Sequence, residues 1–214
     1  MSKLKLGVLV SGGGSNLQAI IDNIESGKVS AKIAVIISSA KGVYALERAK
    51  KHKIPSQVIL PKNYKNKEEY EKELINILKK YDIDLVILAG FVRVLSPFFV
   101  KTFENKIMNI HPSLIPAFCG HGYYGEKVHK AVIDYGAKIT GVTVHFVDEG
   151  ADTGPIILQR AVQVKDDDTP QTLAKRVLKE EHKIYPEAIQ LYAQGRLELC
   201  GRRVLIKDEK EERA

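Results

Sequence analysis

The residues best suited to chemistry are Asn109 and His111, in the segment Ile-Met-Asn-Ile-His-Pro-Ser-Leu-Ile-Pro at 107–116. Residues two apart in a strand lie on the same face, so a strand here places an amide donor beside a titratable imidazole. Pro112 and Pro116 each fix a φ angle and stiffen the loop that follows. A buried Asn or His needs hydrogen-bond partners, so this pair is either a structural cap or a site that stabilises negative charge.

A glycine-rich turn, Ser-Gly-Gly-Gly-Ser-Asn at 11–16, follows an apolar run at 4–10 and precedes an amphipathic helix. This order of strand, turn and helix aims free backbone N–H groups at an anion. The turn lacks the dinucleotide pattern GxGxxG, because Leu17 occupies the third glycine position, and it is not a Walker sequence. A small phosphorylated ligand is therefore favoured over NAD or ATP, with tight strand–helix packing as the alternative role of the glycines.

Further strands and helices alternate after this turn. Apolar runs of strand length occupy 32–40, 56–60 and 83–90, and helical patterns occupy 42–53 and 66–81. This alternation predicts an α/β fold, with a twisted, mostly parallel sheet covered by helices on both faces and a Rossmann-like N-terminal half. Ligands of such sheets bind at the carboxyl ends of the strands, where an apolar turn at 90–95 also falls.

The second half of the sequence carries polar residues at the ends of its predicted elements. A helix at 125–136 leads into a strand at 139–147, which contains His145. An acidic loop, Asp-Glu-Gly-Ala-Asp at 148–152, separates this strand from one at 156–164. Acids in a turn are usually solvated, but an acid close to a histidine would orient the imidazole and favour its charged form.

A long helix begins at Thr169 and Pro170, a cap followed by a proline in the first turn, and runs to about residue 194. Glu181 falls in its apolar stripe, where a carboxylate is costly unless it meets a donor such as a ligand hydroxyl or a buried arginine. Two short strands follow at 197–206.

These elements predict one domain over 1–206. It consists of an N-terminal phosphate-binding half at about 1–100 and a C-terminal catalytic half at 101–206, and a charged tail follows at 207–214.

The composition of the 214 residues excludes several classes of protein. Lys and Arg exceed Asp and Glu by 33 to 26, but they form no basic stripe with interleaved aromatic residues, so we expect no nucleic-acid partner. Cys119 and Cys200 lie far apart, as expected for a reduced, cytoplasmic chain. The sequence has no signal-peptide pattern and no apolar run long enough to cross a membrane.

Three hypotheses follow from these residues. In the first, Asn109 and protonated His111 stabilise the oxyanion of an acyl transfer; no serine or cysteine nucleophile stands out, so a substrate amine attacks directly. In the second, histidines at 111, 121, 129 or 145 bind a metal, although no HxH, HExxH or CxxC spacing supports it. In the third, the protein only binds a phosphorylated metabolite, which would not require the Asn-x-His pair.

The sequence resembles the folate-dependent formyltransferase family over about residues 4–200. The resemblance rests on Asn-Ile-His-Pro-Ser-Leu-Ile-Pro at 109–116 and on Asp-Thr-Gly-Pro at 152–155. Further matching motifs are Ser-Gly-Gly-Gly-Ser-Asn-Leu-Gln at 11–18, Ala-Gly-Phe-Val-Arg-Val-Leu-Ser-Pro at 89–97 and Glu-His-Lys-Ile-Tyr-Pro at 181–186.

The resemblance implies transfer of a formyl group from the co-substrate 10-formyltetrahydrofolate to the amine of glycinamide ribonucleotide, a step of purine synthesis, with no metal. It implies a catalytic group of Asn109, His111 and Asp152, with His145 in support. The residues implied to bind the ribonucleotide are Gly14, Ser15, Asn16 and Glu181. Those implied to bind folate are Lys67, Val92, Arg93, Val94, Leu95, Asn109, Asp148, Glu149, Gly150, Ala151 and Asp152. The implied partners are small molecules, without a membrane, and the implied assembly is a monomer or homodimer.

Two other members of the family are competing predictions. A methionyl-tRNA formyltransferase would need a further C-terminal domain, which we do not expect in 214 residues. A formyltetrahydrofolate deformylase usually carries an extra N-terminal module and does not need the glycine turn. One departure concerns Lys67, where related sequences often carry arginine, since lysine is a point charge without a bidentate fork. The loop at 117–124 has the composition of a lid, and the resemblance transfers no role to His121 or Cys119.

Overall fold

In the computed structural model, which describes residues 3–208, the chain divides into two units between Asn109 and Ile110. The elements of the first unit are β1 (Leu4–Val10), α1 (Ser15–Glu25), β2 (Ala31–Ser38), α2 (Tyr44–Lys51), β3 (Ser56–Val58), a 3-10 turn (Pro61–Asn63), α3 (Lys67–Lys80), β4 (Leu85–Leu88) and α4 (Pro97–Thr102). Strand β5 (Ile107–His111) crosses the boundary between the units.

The strands of the first unit form a parallel sheet in the order β3-β2-β1-β4-β5. Strand β1 is buried from Leu6 to Val10, as expected when helices cover both faces of a sheet. Its end is level with those of its neighbours, because Val10 pairs with Ser38 and Leu9 with Leu88. The glycine-rich turn and the loop after β4 therefore leave the sheet at the same edge.

The elements of the second unit are α5 (Glu126–Tyr135), β6 (Ile139–Phe146), β7 (Ile156–Gln163), α6 (Pro170–Ala193), β8 (Leu197–Cys200) and β9 (Arg203–Ile206). Strands β6 and β7 pair antiparallel, β7 pairs parallel with β9, and β8 and β9 form a hairpin. Helix α6 begins with a capping box, in which Thr169 and Thr172 bind each other's backbone N–H groups. The predicted α/β class, a mostly parallel sheet with helices, is confirmed.

The structure also differs from the sequence-based prediction. Strand β2 ends at Ser38, because the Ser38 hydroxyl donates to Ala40 O at 2.7 Å and forms a local turn. The sequence reasoning missed the short helix α4, which Ser96 caps by accepting from Phe99 N at 3.3 Å. A Ser followed by Pro97 is a signal that could have predicted it.

Two findings concern the remainder of the chain. Lys207, the first residue of the charged tail predicted at 207–214, donates its backbone N–H to Arg196 O at 2.8 Å, whereas the part of that tail from 209 onward lies outside the described residues. Among residues 3–208, no helix combines the length and the apolar character that a membrane crossing requires.

Candidate active site

His111, the last residue of β5, has both ring nitrogens engaged. The side chain is buried, with 4% of the residue exposed. Nε2 lies 2.9 Å from Phe118 O, and because a carbonyl only accepts, Nε2 carries a hydrogen. Nδ1 lies 3.4 Å from Asp152 Oδ2. Nδ1 is therefore the ring nitrogen that faces a carboxylate.

The carboxylate of Asp152 contacts three residues of the second unit: His111, Gly120 and His145. Its Oδ2 accepts from Gly120 N at 2.9 Å, besides facing His111, and its Oδ1 lies 3.7 Å from His145 Nε2. Its backbone has φ 56°, in the left-handed region that non-glycine residues rarely adopt. The acidic loop thus holds this carboxylate between two imidazoles by means of an uncommon backbone conformation.

Hydrogen bonds of Asp148 and a close backbone contact with β6 hold the acidic loop in place. Asp148 Oδ1 accepts from Gly150 N at 3.1 Å and from the Thr153 hydroxyl at 2.5 Å. A Cβ added at Gly154 would lie 1.8 Å from Phe146 O, so the loop crosses the end of β6 at a distance that only glycine permits. These contacts define the position from which Asp152 reaches His111.

His145 lies close to Asp152 and is buried. Its Nδ1 donates to Phe146 O at 2.7 Å, which leaves Nε2 toward the carboxylate. Burial lowers the pKa of His145, although the bond to Phe146 and the charge of Asp152 act in the opposite direction. His145 thus lies near Asp152 Oδ1 whereas His111 faces Oδ2, and its supporting role stays a prediction.

Two backbone groups of the loop at 117–124 complete this cluster, and sequence reasoning missed both. They are the carbonyl of Phe118, bonded to His111, and the N–H of Gly120, bonded to Asp152. Backbone contacts carry no signal of residue type, so no motif could have indicated them. The thiol of Cys119, between them, points elsewhere and donates to Pro116 O at 3.3 Å; burial raises its pKa, and the charge of Asp152 adds to the effect.

Asn109 is half-buried and pairs in register with Leu88 of β4. It is two residues before His111 in the same strand, and Met108 and Ile110 are buried at the alternate positions. The strand that the sequence predicts is confirmed, and the catalytic role of Asn109 stays a prediction.

The glycine-rich turn opens onto a cavity of about 300 Å³ in the first unit. Gly14 has φ 69° and is the N-cap of α1, where a Cβ would meet Ala45 Cβ at 2.8 Å. A Cβ at Gly12 or Gly13 would instead enter open space. Glycine thus serves packing against α2 at position 14, whereas at 12 and 13 it leaves the backbone accessible to a ligand. The residues that line the cavity are Gly12, Gly13, Gly14, Ser15, Asn16, Tyr44, Arg48, Ala89 and Gly90.

Ser11 connects this turn to the loop that follows β4. Its backbone N–H donates to Gly90 O at 3.1 Å, and its hydroxyl accepts from Val92 N at 3.3 Å. The same hydroxyl lies 2.7 Å from Ser39 Oγ. Ser11 therefore hydrogen-bonds the start of the glycine-rich turn to the loop that contains part of the predicted folate site.

The predicted folate-binding residues of the first unit differ in their exposure to solvent. Val92 and Val94 are 70% and 49% exposed, as an open apolar pocket requires, whereas Leu95 is buried. The Arg93 guanidinium lies 5.8 Å from the centre of the Tyr70 ring.

Lys67 lies in the first turn of α3, and its Nζ is 3.8 Å from the buried carboxylate of Glu71. Glu71 also accepts from the backbone N–H of Ser96 at 2.9 Å and from the Ser96 hydroxyl. Lys67 thus lies next to the contact that joins α3 to the loop after β4.

Glu181 lies in α6 and is buried, with 8% of the residue exposed. Val177 and Ile184, one turn before and one turn after it, are fully buried, so Glu181 lies on the inward face, as the apolar stripe predicts. Its contact with a ribose stays a prediction.

His129 of α5 is a buried imidazole that the sequence analysis considered only as a candidate metal ligand. Its Nδ1 has no hydrogen-bond partner among the described residues. Burial lowers the pKa of His129 to about 4, and the charge of nearby His111 acts in the same direction. The folded protein therefore holds this imidazole neutral.

We expect His129 to make stability depend on pH. Its folded-state pKa lies below the ordinary value, so the unfolded chain binds more protons between about pH 4 and 6.5. The contribution is complete above that window and is lost as the pH falls through it, by at most about 3 kcal/mol. In urea titrations over this range, His129→Leu should show a shallower loss of stability than the wild type.

The exposed His121, replaced by leucine, is the control, and it should retain the wild-type dependence on pH. His145 has a pKa shifted in the same direction, so part of the slope persists in the His129→Leu variant. An unchanged slope in that variant would show that His129 takes up its proton equally in both states.

The sequence and the fold of this chain are similar to those of known proteins. A formyl transferase family model matches residues 4–189. The human trifunctional purine biosynthetic protein adenosine-3 is 44% identical over 209 residues, which are 97% of this chain and 20% of that protein. The phosphoribosylglycinamide formyltransferase of Haemophilus influenzae is 41% identical over 195 residues, covering 91% of this chain and 90% of that protein. The crystal structure of glycinamide ribonucleotide transformylase 1 from Symbiobacterium toebii superposes with a TM-score of 0.92 at 44% identity, covering 97% of this chain and 95% of that one.

The chain belongs to the formyl transferase family, whose model matches most of its length. It spans about a fifth of the length of the trifunctional relatives but nearly all of the Haemophilus protein. Within the family its place is among the phosphoribosylglycinamide formyltransferases, the group named by that bacterial relative.

Proposed function

We propose that this chain transfers a formyl group from 10-formyltetrahydrofolate to the amine of glycinamide ribonucleotide, in de novo purine biosynthesis. The observation that carries the proposal is the buried His111, whose Nδ1 faces Asp152 Oδ2 at 3.4 Å. An imidazole held beside a carboxylate can remain a cation and stabilise a developing negative charge. Membership of the formyl transferase family supports the same reaction.

The folate supplies the formyl carbon, and the residues of this chain act on the charge that forms there. The amine of the ribonucleotide attacks the formyl carbon, and the carbonyl oxygen becomes an oxyanion. Asn109 donates an amide N–H to this oxygen, and protonated His111 stabilises the same charge. As the tetrahedral intermediate collapses, the bond from carbon to the folate nitrogen breaks. His111 supplies a proton to that nitrogen, the attacking amine releases one to solvent, and His111 regains a proton from solvent, so the proton count balances.

The proposal assigns separate sets of residues to the ribonucleotide and to the folate. The N–H groups of Gly14, Ser15 and Asn16, at the N-terminal end of α1, bind the phosphate. Glu181 binds the ribose hydroxyls. The residues proposed to bind folate are Lys67, Val92, Arg93, Val94, Leu95, Asn109, Asp148, Glu149, Gly150, Ala151 and Asp152.

The same proposal includes one formyltransferase domain over 1–206, a cytoplasmic location and a monomer or homodimer as the assembly. The two cysteines, Cys119 and Cys200, are both free thiols, which supports a reducing compartment.

A formyltetrahydrofolate deformylase is the second candidate, since water could replace the amine at a similar site. The cavity beside the glycine-rich turn favours the transferase, because hydrolysis of formyl-folate requires no phosphate site. The deciding experiment incubates the protein with formyl-folate, with and without glycinamide ribonucleotide, and measures formate and formylated nucleotide. Formate release without nucleotide would overturn the proposal.

We expect Glu181→Gln to weaken binding of the ribonucleotide. A neutral amide accepts hydrogen bonds from ribose hydroxyls less strongly than a carboxylate, so KM for glycinamide ribonucleotide should rise about tenfold. KM for formyl-folate should stay unchanged, as steady-state kinetics at saturating nucleotide would show.

The matched control is Glu180→Gln, on the same helix, whose carboxylate pairs with Lys183 at 2.7 Å. It should leave both KM values as they are. An effect of Glu181→Gln confined to the KM for folate would contradict the assignment to the ribose.

A further inference from the structure

Arg48 is a cation in the wall of the cavity beside the glycine-rich turn. It lies on α2, and its Nε donates to Gly13 O at 2.9 Å. Its Nη1 donates to Gln18 Oε1 at 2.8 Å, and its guanidinium carbon lies 4.6 Å from the centre of the Tyr44 ring. The side chain is thus attached to the turn, to α1 and to its own helix.

These contacts fix the guanidinium but use only part of its hydrogen-bonding capacity. Two of its five N–H groups are bonded, and among residues 3–208 the remaining ones meet no hydrogen-bond acceptor. No carboxylate in the described part of the chain forms an ion pair with Arg48, and none lines the cavity. Its positive charge is therefore not neutralised by the protein.

The cavity combines this cation with the N-terminal end of α1. The backbone N–H groups there are neutral donors, and the helix dipole supplies only a partial charge. A phosphate monoester carries close to two negative charges, and removing it from water is costly unless charges of opposite sign meet it. An arginine with free N–H groups provides that charge, in a geometry that matches two phosphate oxygens.

We propose that Arg48 binds the phosphate of the nucleotide substrate and sets the preference of the enzyme for a phosphorylated substrate. This rests on the proposed function, because it assigns the phosphate of glycinamide ribonucleotide to this cavity. Arg48 lines the same cavity as Ser15 and Asn16, and its bond to Gly13 couples the cation to the conformation of the turn.

The test compares Arg48→Met with the wild type on two substrates, glycinamide ribonucleotide and its dephosphorylated riboside. The variant should lose about 10- to 100-fold in kcat/KM with the ribonucleotide, as expected for a charge-assisted hydrogen bond. Activity with the riboside should change little, so the preference for phosphate falls by the same factor. KM for formyl-folate should be unaffected. Arg48→Lys, which keeps the charge but not the fork, should recover part of the loss.

The control is Lys50→Met, which removes a charge from an exposed position of the same helix, outside the cavity. It should leave the phosphate preference unchanged. If Arg48→Met lowered activity equally with ribonucleotide and riboside, Arg48 would only hold Gly13 in place, and the proposal would be overturned. Unchanged kinetics would overturn it as well.

A calorimetric measurement separates this inference from the proposed function. Ribose 5-phosphate is titrated into the wild type and into Arg48→Met, in the absence of folate. Weaker binding by the variant supports Arg48 as the phosphate ligand even if formyl transfer were not observed. Equal affinities would reject Arg48, whatever the outcome of the formyl-transfer assay.

Discussion

Replacement of His111 by alanine should lower kcat at least about a hundredfold. The imidazole is the cation proposed to stabilise the oxyanion, and alanine leaves neither charge nor donor there. KM for either substrate should change far less than kcat, because the interaction is made mainly with the tetrahedral intermediate. Single-turnover measurements of formyl transfer would report the loss directly.

The control for this variant is His121→Ala, an exposed histidine of the adjacent loop. It should retain the wild-type kcat. Thermal unfolding of both variants verifies that the fold is intact, since alanine at 111 also removes the hydrogen bond to Phe118 O. Turnover near the wild-type rate in a folded His111→Ala protein would refute the assignment of the site.

Replacement of Asp152 by asparagine should have an effect of similar size, a loss of about a hundredfold in kcat. The amide has the shape of the carboxylate and still offers an oxygen to Gly120 N, but it carries no charge to face His111 Nδ1. The imidazolium then loses its stabilising partner. Asparagine also tolerates the left-handed backbone at this position, so the variant tests charge rather than folding.

Asp166→Asn provides the comparison, because it removes an equally charged group that forms an ion pair with Lys138 at 2.8 Å. We expect wild-type kinetics from it. If Asp152→Asn kept a normal kcat, the charge of His111 would have to come from another source.

The sequence predicted much of this fold for identifiable reasons. Continuous apolar runs such as 4–10 indicate strands covered on both faces, and a Thr169-Pro170 start indicates a helix. Helix α4 was missed because its six residues are too few to show a periodic pattern.

The site was predictable where its chemistry depends on residue type. Asn109, His111 and Glu181 stood out because polar groups at buried positions need a reason. The contacts of Phe118 O and Gly120 N depend on where a loop passes, and no residue type indicates that path. Arg48 was missed for a different reason: an arginine on an amphipathic helix is ordinary in sequence, and only the fold brings it to the glycine-rich turn.

The left-handed φ of Asp152 limits how this enzyme could change in evolution or in the laboratory. Side chains other than glycine, asparagine and aspartate are strained there, so glutamate, the usual conservative exchange, would alter the loop as well as the reach of the carboxylate. The position therefore has almost no gradual alternatives: a single mutation either removes the charge or distorts the loop that presents it. Libraries that aim to tune the reaction would gain more from the neighbours of Asp152, such as His145, than from position 152 itself.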